Sequence, residues 1–128
     1  MTIKKLHDDA IQGVHAFNQG EYFAAHEYFE IAWRDTKDDG REYYRALLHL
    51  SGGYYRLTQD RSEAARKFFV RALAWIKTFS SPHLGIDTAA IIAHLQTLIG
   101  AIDRGKSTRA LLNELAFQIP LIDHSRSS

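Results

Sequence analysis

The most informative absence in this sequence is that of cysteine. None of the 128 residues is a cysteine, which excludes disulfide bridges, thiolate zinc sites and a cysteine nucleophile. Any metal ion would need histidine, aspartate and glutamate ligands. The sequence also lacks an apolar run close to the roughly 20 residues of a membrane span, and residues 1–9 lack the apolar core of an export signal. We therefore expect a cytoplasmic protein with no membrane partner.

A strong excess of charge of one sign is absent as well. Sixteen Lys plus Arg residues face fifteen Asp plus Glu residues, for a formal net charge of +1. No long-range field selects a polyanion, so we expect no nucleic-acid partner. Runs of alternating β-branched residues are missing too, which argues against a sheet.

Apolar residues recur every three or four positions, and this spacing predicts an all-α single domain over residues 1–122. We expect a bundle of five main helices plus a short C-terminal helix, with a frayed tail at 123–128. The third helix is apolar on more than one side, which predicts a central position. The expected bounds are a first helix with the stripe Ile3, Leu6, Ala10, Val14 and Phe17, then 21–36, 42–59, 62–79, a fifth helix capped by Asp87, and 108–117.

A shift of about forty positions superposes parts of the sequence on itself. Gly13 then falls on Gly53, and Phe29 falls on Phe69. The segment Ala25, Phe29 and Ala32, preceded by Gly20, has spacing that resembles the second helix of a tetratricopeptide repeat, although that family has a different period and needs several copies. The pattern predicts two repeat-like helical hairpins in a closed bundle. Gly52 and Gly53 inside a helix predict close approach of a neighbouring helix.

A second feature of the expected second helix is a polar cluster. His26, Glu30 and Trp33 stand at i, i+4 and i+7 and lie within about 60° of one another around the helix axis. Glu27 lies some 100° from His26. Such a cluster can be a metal ligand pair, an acid/base pair or a buried polar lock.

The metal alternative follows from the i, i+4 spacing of His26 and Glu30, because both side chains can reach one divalent cation. The spacing is that of H-E-x-x-H zinc sites, with Glu30 in place of the second histidine. A third ligand would come from another helix, and Glu27 would then serve as the general base. The candidate third ligands are His15, His49, Glu42 and Asp87.

The structural alternative is a buried lock. His26, next to Trp33, would bond Glu30 or a backbone group and fix the helix packing, because buried polar groups are normally satisfied. Glu27 would pair with Arg34 or Arg45. This alternative assigns no catalytic residue.

The block G-x-Y-F-x-A-H-E-x-x-E-x-x-W at residues 20–33, with Leu47-Leu48-x-Leu50, Tyr54-Tyr55 and Leu84-Gly85-Ile86-Asp87, resembles domain-of-unknown-function family 309 over residues 10–105. The resemblance implies a small, single-domain, all-α protein of bacteria or archaea, in a family without an established activity, ligand or partner. His49 stands where the family commonly has glutamine, which adds a possible metal ligand near the motif.

The leading hypothesis is a non-enzymatic binding or scaffold module without a cofactor, whose interhelical groove takes a protein, a peptide or a small ligand. The alternative is a metal-dependent hydrolase or metal-binding protein that uses His26 and Glu30, with His49 as a further ligand. Aromatic residues make up 12% of the chain, which makes a homodimer a further expectation.

Overall fold

Six α-helices make up the regular structure of the computed structural model, which describes residues 5–122. They are α1 (Asp8–Asn18), α2 (Tyr22–Asp35), α3 (Arg41–Thr58), α4 (Ser62–Ile76), α5 (Thr88–Asp103) and α6 (Thr108–Glu114). No strand occurs between residues 5 and 122, so the predicted all-α class is confirmed. No helix in this range has the length and apolar character needed to cross a membrane. The predicted tail at 123–128, and Ile3, lie outside the described residues.

Helix α3 is the centre of the bundle. It packs against α2, α4 and α6, while α1 packs on α2 and α5 packs on α4. Its buried side chains lie on more than one side of the helix, as its sequence predicts: Tyr43, Tyr44, Ala46, Leu47, Leu50, Ser51, Tyr54 and Leu57. Helix α3 therefore contacts both α2 and α4, and residues of these two helices come together beside it.

Each of the first two helical hairpins is closed by a phenylalanine ring over a glycine. A Cβ atom at Gly13 of α1 would lie 2.7 Å from Cε1 of Phe29 on α2, and one at Gly53 of α3 would overlap the ring of Phe69 on α4. The alanines that flank the two rings are fully buried: Ala25, Ala32, Ala65 and Ala72. Small residues thus let each helix pair approach closely, and the ring fills the remaining space.

Two local features fix the chain at the ends of these helices: a glycine with a positive φ and an aspartate N-cap. Gly20 has a φ of +81° in the α1–α2 turn, and its N–H donates to the Phe17 carbonyl at 2.9 Å. This left-handed conformation suits glycine. The Asp87 carboxylate accepts a hydrogen bond from the Ala90 N–H at 3.1 Å and caps α5.

Three helices, α1, α4 and α6, begin or end several residues away from the predicted bounds. Helix α1 begins at Asp8, so Leu6 precedes it, because His7 is the N-cap and its Nδ1 accepts from the Asp9 N–H at 3.0 Å. Helix α4 stops at Ile76 instead of Phe79. There the chain turns more tightly, and the Phe79 N–H donates to the Ile76 carbonyl at 3.0 Å.

Helix α6 also ends early, at Glu114 instead of Phe117. The hydroxyl of Tyr54 on α3 donates to the Leu115 carbonyl at 2.7 Å, and the following segment runs back along the residues before α5. There the Ile122 N–H donates to the Gly85 carbonyl at 2.7 Å. Tertiary bonds replace the last predicted helical turn.

Candidate functional site

The polar cluster of α2 lies on the border between the buried and exposed sides of that helix. His26, Glu30 and Trp33 are each partly buried, whereas Glu27 is exposed. The border position follows from the helical period, because the i, i+4 and i+7 positions lie beside the buried stripe that contains Phe29.

Glu30 is paired within its own helix. Its Oε1 accepts a hydrogen bond from Arg34 Nη2 at 2.5 Å, in an i, i+4 arrangement. No hydrogen bond joins Glu30 to His26 among the described residues, so the predicted bond of the buried lock is not formed by this pair.

His26 packs against α3. Its Cδ2 lies 3.5 Å from the place of a Cβ atom at Gly52, and the ring of Phe68 on α4 lies 2.8 Å from the same place. The Nδ1 of His26 is buried and has no hydrogen-bond partner within residues 5–122. Burial lowers the pKa of His26, because a charged imidazole would lose its hydration, although Glu30 opposes this effect.

His49 lies on the same side of α3, within electrostatic reach of His26. Its Nδ1–H donates to the Arg45 carbonyl at 2.9 Å, because a carbonyl can only accept. Burial lowers the pKa of His49; the bond to that carbonyl opposes the shift, and the charges of Arg45, Arg71 and His26 reinforce it. Both imidazoles are therefore neutral near pH 7.

The predicted metal ligands are not gathered around one point. Among the described residues, ligand atoms within 4.8 Å of one another occur in the group His7, Asp9 and Asp35, and His26, Glu30 and His49 form no such group. In that group, His7 Nδ1 already caps α1 and its Nε2 lies 3.1 Å from Asp35 Oδ2.

The other candidate third ligands lie apart or are engaged. His15 is exposed on α1, the Glu42 carboxylate accepts from Arg45 at 3.4 Å, and Asp87 caps α5. The divalent-metal site stays a prediction of the sequence.

The main feature that the sequence analysis missed is a continuous stack of rings and guanidinium groups across α2, α3 and α4. The Arg45 guanidinium carbon lies 5.6 Å from the ring centroid of Trp33 on α2 and 4.3 Å from that of Trp75 on α4. We call this set the ring–arginine stack; its members contact in the order Arg41, Trp33, Arg45, Trp75, His49, Phe68 and Arg56.

The stack is accessible from solvent and carries excess positive charge. The Arg45 side chain is 40% exposed. Arg41 lies 4.7 Å from the Trp33 centroid and Arg56 lies 4.1 Å from the Phe68 centroid. Of the three arginines, Arg45 alone has an ion pair among the described residues, a 3.4 Å contact with Glu42. A guanidinium that lies on a ring uses its face, so its in-plane N–H groups can still donate to an anion. Arg45 Nη1 donates to Glu42 at 3.4 Å and Arg56 Nη1 to the Gly52 carbonyl at 3.3 Å, which leaves the other in-plane donors of these two groups for a ligand.

One sequence signal does point to this surface. Arg45, His49 and Arg56 recur at i, i+4 and i+11 on the less apolar side of α3, and this places them in one row. The row is visible in the sequence. The two tryptophans that complete it come from other helices, and helix spacing does not show them.

The model of a protein family described as Domain of unknown function (DUF309) matches residues 10–68. The match spans α1, α2, α3 and the first half of α4, which is less of the chain than the predicted range of 10–105. It includes the cluster of α2 and, in the stack, all members except Trp75. No curated protein matches the chain.

Proposed function

We propose that this chain, whose residues 10–68 match the family model described as Domain of unknown function (DUF309), is a non-enzymatic binding module that holds an acidic peptide segment on its α2–α3–α4 face. The observation that carries the proposal is the position of Arg45 between Trp33 and Trp75. The rings fix the guanidinium plane without consuming its N–H donors. A peptide carboxylate would accept from those donors in a charge-assisted, two-point contact.

The length of the row supports an extended peptide. Arg45 and Arg56 are eleven positions apart on α3 (45 to 56), which is roughly 16 Å at 1.5 Å per residue. An extended chain advances about 3.3 Å per residue and alternates its side chains between two faces, so carboxylates four or six positions apart would lie on one face and reach both arginines. His26 and His49 lie beside this row, and their lowered pKa values leave them uncharged near pH 7, so they do not repel a carboxylate.

The same stack favours a peptide over a nucleic acid. Proteins that bind single strands offer free aromatic faces on which bases stack. Here the rings of Trp33, Trp75 and Phe68 already contact the chain's own cations. The net charge of +1 also provides little general attraction for a polyanion.

The test is a titration with a peptide that carries glutamates four or six positions apart, monitored by tryptophan emission. The only tryptophans, Trp33 and Trp75, both lie in the stack. We expect saturable binding that weakens with salt, an affinity about tenfold lower for Arg45→Gln, and a higher affinity for Glu42→Gln, which removes the competing carboxylate. Arg109→Gln, on the exposed surface of α6, makes the same change in net charge and should bind like the wild type.

Two results would overturn the proposal. One is equal binding by Arg45→Gln and Arg109→Gln when both variants unfold at the wild-type temperature. The other is tighter binding of a single-stranded oligonucleotide than of the peptide at the same salt concentration.

The metal-dependent alternative retains one supporting observation, the buried and unpartnered Nδ1 of His26. In that case His26, Glu30 and His49 would hold a divalent ion and Glu27 would act as the base. Elemental analysis of the purified protein and of His26→Ala is the test. One metal ion per chain that disappears in the variant would favour this alternative over the binding module.

A further inference from the structure

A cavity of about 490 Å³ opens beside Phe68, at the end of the ring–arginine stack. It lies between the α3–α4 turn and the first three turns of α4. Its basic lining residues are Arg61, Lys67 and Arg71, and Arg56 covers the Phe68 ring at 4.1 Å. Positive groups thus converge on one recess from both α3 and α4.

The acidic residues of the cavity offset this charge only in part. Asp60 accepts a hydrogen bond from the Thr108 hydroxyl and is thereby tied to α6. Glu63 is exposed on the first turn of α4. No ion pair with an acidic side chain is found for Arg61, Lys67 or Arg71 among the described residues.

The crowding of cations also shows at Arg56. Burial lowers the pKa of Arg56, and the neighbouring charge of Arg61 lowers it further. Two cations that disfavour each other's charge would both be stabilised by an anion between them. A dianion meets this requirement better than a single carboxylate does.

We infer that this cavity takes a phosphate monoester on the acidic peptide proposed above, with Arg61 and Lys67 as its specificity-determining contacts. The inference rests on the proposed function, because the rest of the peptide would lie on the stack. Phosphate carries about two charges and three acceptor oxygens at neutral pH, and guanidinium groups match its geometry.

The experiment compares two peptides of one sequence, one with serine and one with phosphoserine at the position that reaches Phe68. The phosphopeptide is expected to bind at least about tenfold more tightly. The double variant Arg61→Gln/Lys67→Gln should lose this gain. It should still bind the serine peptide as well as the control variant Arg104→Gln/Arg109→Gln, in which the net charge changes equally on another part of the surface. Glu63→Gln should increase the gain, because it removes a carboxylate that lines the cavity.

The outcomes separate the two proposals. If the serine peptide binds and phosphorylation adds nothing, or if the gain survives in the Arg61→Gln/Lys67→Gln variant, the cavity inference is wrong and the binding module stands. If neither peptide binds, both fail. Free O-phosphoserine at the same concentration serves as the small-molecule arm. If it displaces the bound phosphopeptide as efficiently as the peptide itself does, the stack contributes nothing to binding.

Discussion

The two helical hairpins, α1–α2 and α3–α4, share one packing device, a phenylalanine ring over a glycine. They differ in the row of residues beside the buried stripe of the second helix, which we call the seam. Phe29 over Gly13 and Phe69 over Gly53 close the hairpins alike. At the seams, the positions related by the forty-residue shift carry different chemistry: His26 against Arg66, Glu30 against Val70, and Trp33 against Leu73.

This difference distinguishes the residues that hairpin packing requires from those that it does not require. On the second seam, Arg66 pairs with Asp103 of α5 at 2.6 Å on an exposed surface, and Val70 is 40% exposed. The small residues and the ring recur because each hairpin needs them for close approach. The polar cluster does not recur, so hairpin packing does not require a histidine at position 26.

The largest expected effect tests the shared device. Phe29→Ala and Phe69→Ala each remove a fully buried ring, and we expect each to lower the free energy of unfolding by about 4 kcal/mol. Urea unfolding of both variants is the measurement. Losses that differ by more than a factor of two would show that the two hairpins do not depend on the same packing.

Substitution of Gly13 and Gly53 tests the same packing device on the helix that faces each ring. A methyl group at Gly53 overlaps Phe69, and one at Gly13 lies 2.7 Å from Phe29. We expect Gly53→Ala and Gly13→Ala to cost about 1 to 3 kcal/mol, despite the higher helix propensity of alanine. Combining Gly53→Ala with Phe69→Leu should recover part of the loss, as thermal unfolding of the single and double variants would show. An unchanged or raised Tm for the single variants would contradict close approach.

A pH dependence distinguishes the far side of α3 from the stack. There the Tyr54 hydroxyl donates to the Leu115 carbonyl and lies 2.5 Å from His94 Nε2, which therefore carries a proton and donates. Burial lowers the pKa of His94 from 6.5 to about 4. The unfolded chain then binds more protons below pH 6.5, so this contribution to stability is complete above pH 6.5 and is lost as the pH falls towards 4.

We expect this loss to be on the order of 1 to 2 kcal/mol, discounted for partial exposure. Urea unfolding at pH 7 and pH 4.5 should show a smaller pH effect in His94→Gln, with His15→Gln, on exposed α1 surface, as the control. Some dependence should remain, because burial lowers the pKa of His26 and His49 in the same direction. Equal pH effects in wild type and His94→Gln would refute the assignment.

The smallest expected effect concerns His26 itself. Its buried Nδ1 has no partner, so His26→Leu should leave the free energy of unfolding within about 1 kcal/mol of wild type. Chemical denaturation measures this directly. A loss of several kcal/mol would restore the buried-lock hypothesis for the α2 cluster.

The sequence predicted the helix order, the central position of α3 and the close approach at Gly53, because these follow from local periodicity and residue size. It missed helix ends that tertiary bonds determine, as at Leu115, where Tyr54 takes the carbonyl. It also missed the stack. Residues 33, 45 and 75 meet only through the relative positions of three helices, which no spacing along one helix contains. The cytoplasmic location and the homodimer stay predictions.

The central claim is that acidic peptides bind on the ring–arginine stack, and the indole N–H signals of Trp33 and Trp75 test it most directly. In a two-dimensional NMR titration with the glutamate peptide, we expect both indole signals to shift and to saturate together with the Arg45 side-chain signal, while the Gly20 amide stays in place. Shifts confined to other surfaces, or none at millimolar peptide, would contradict the claim.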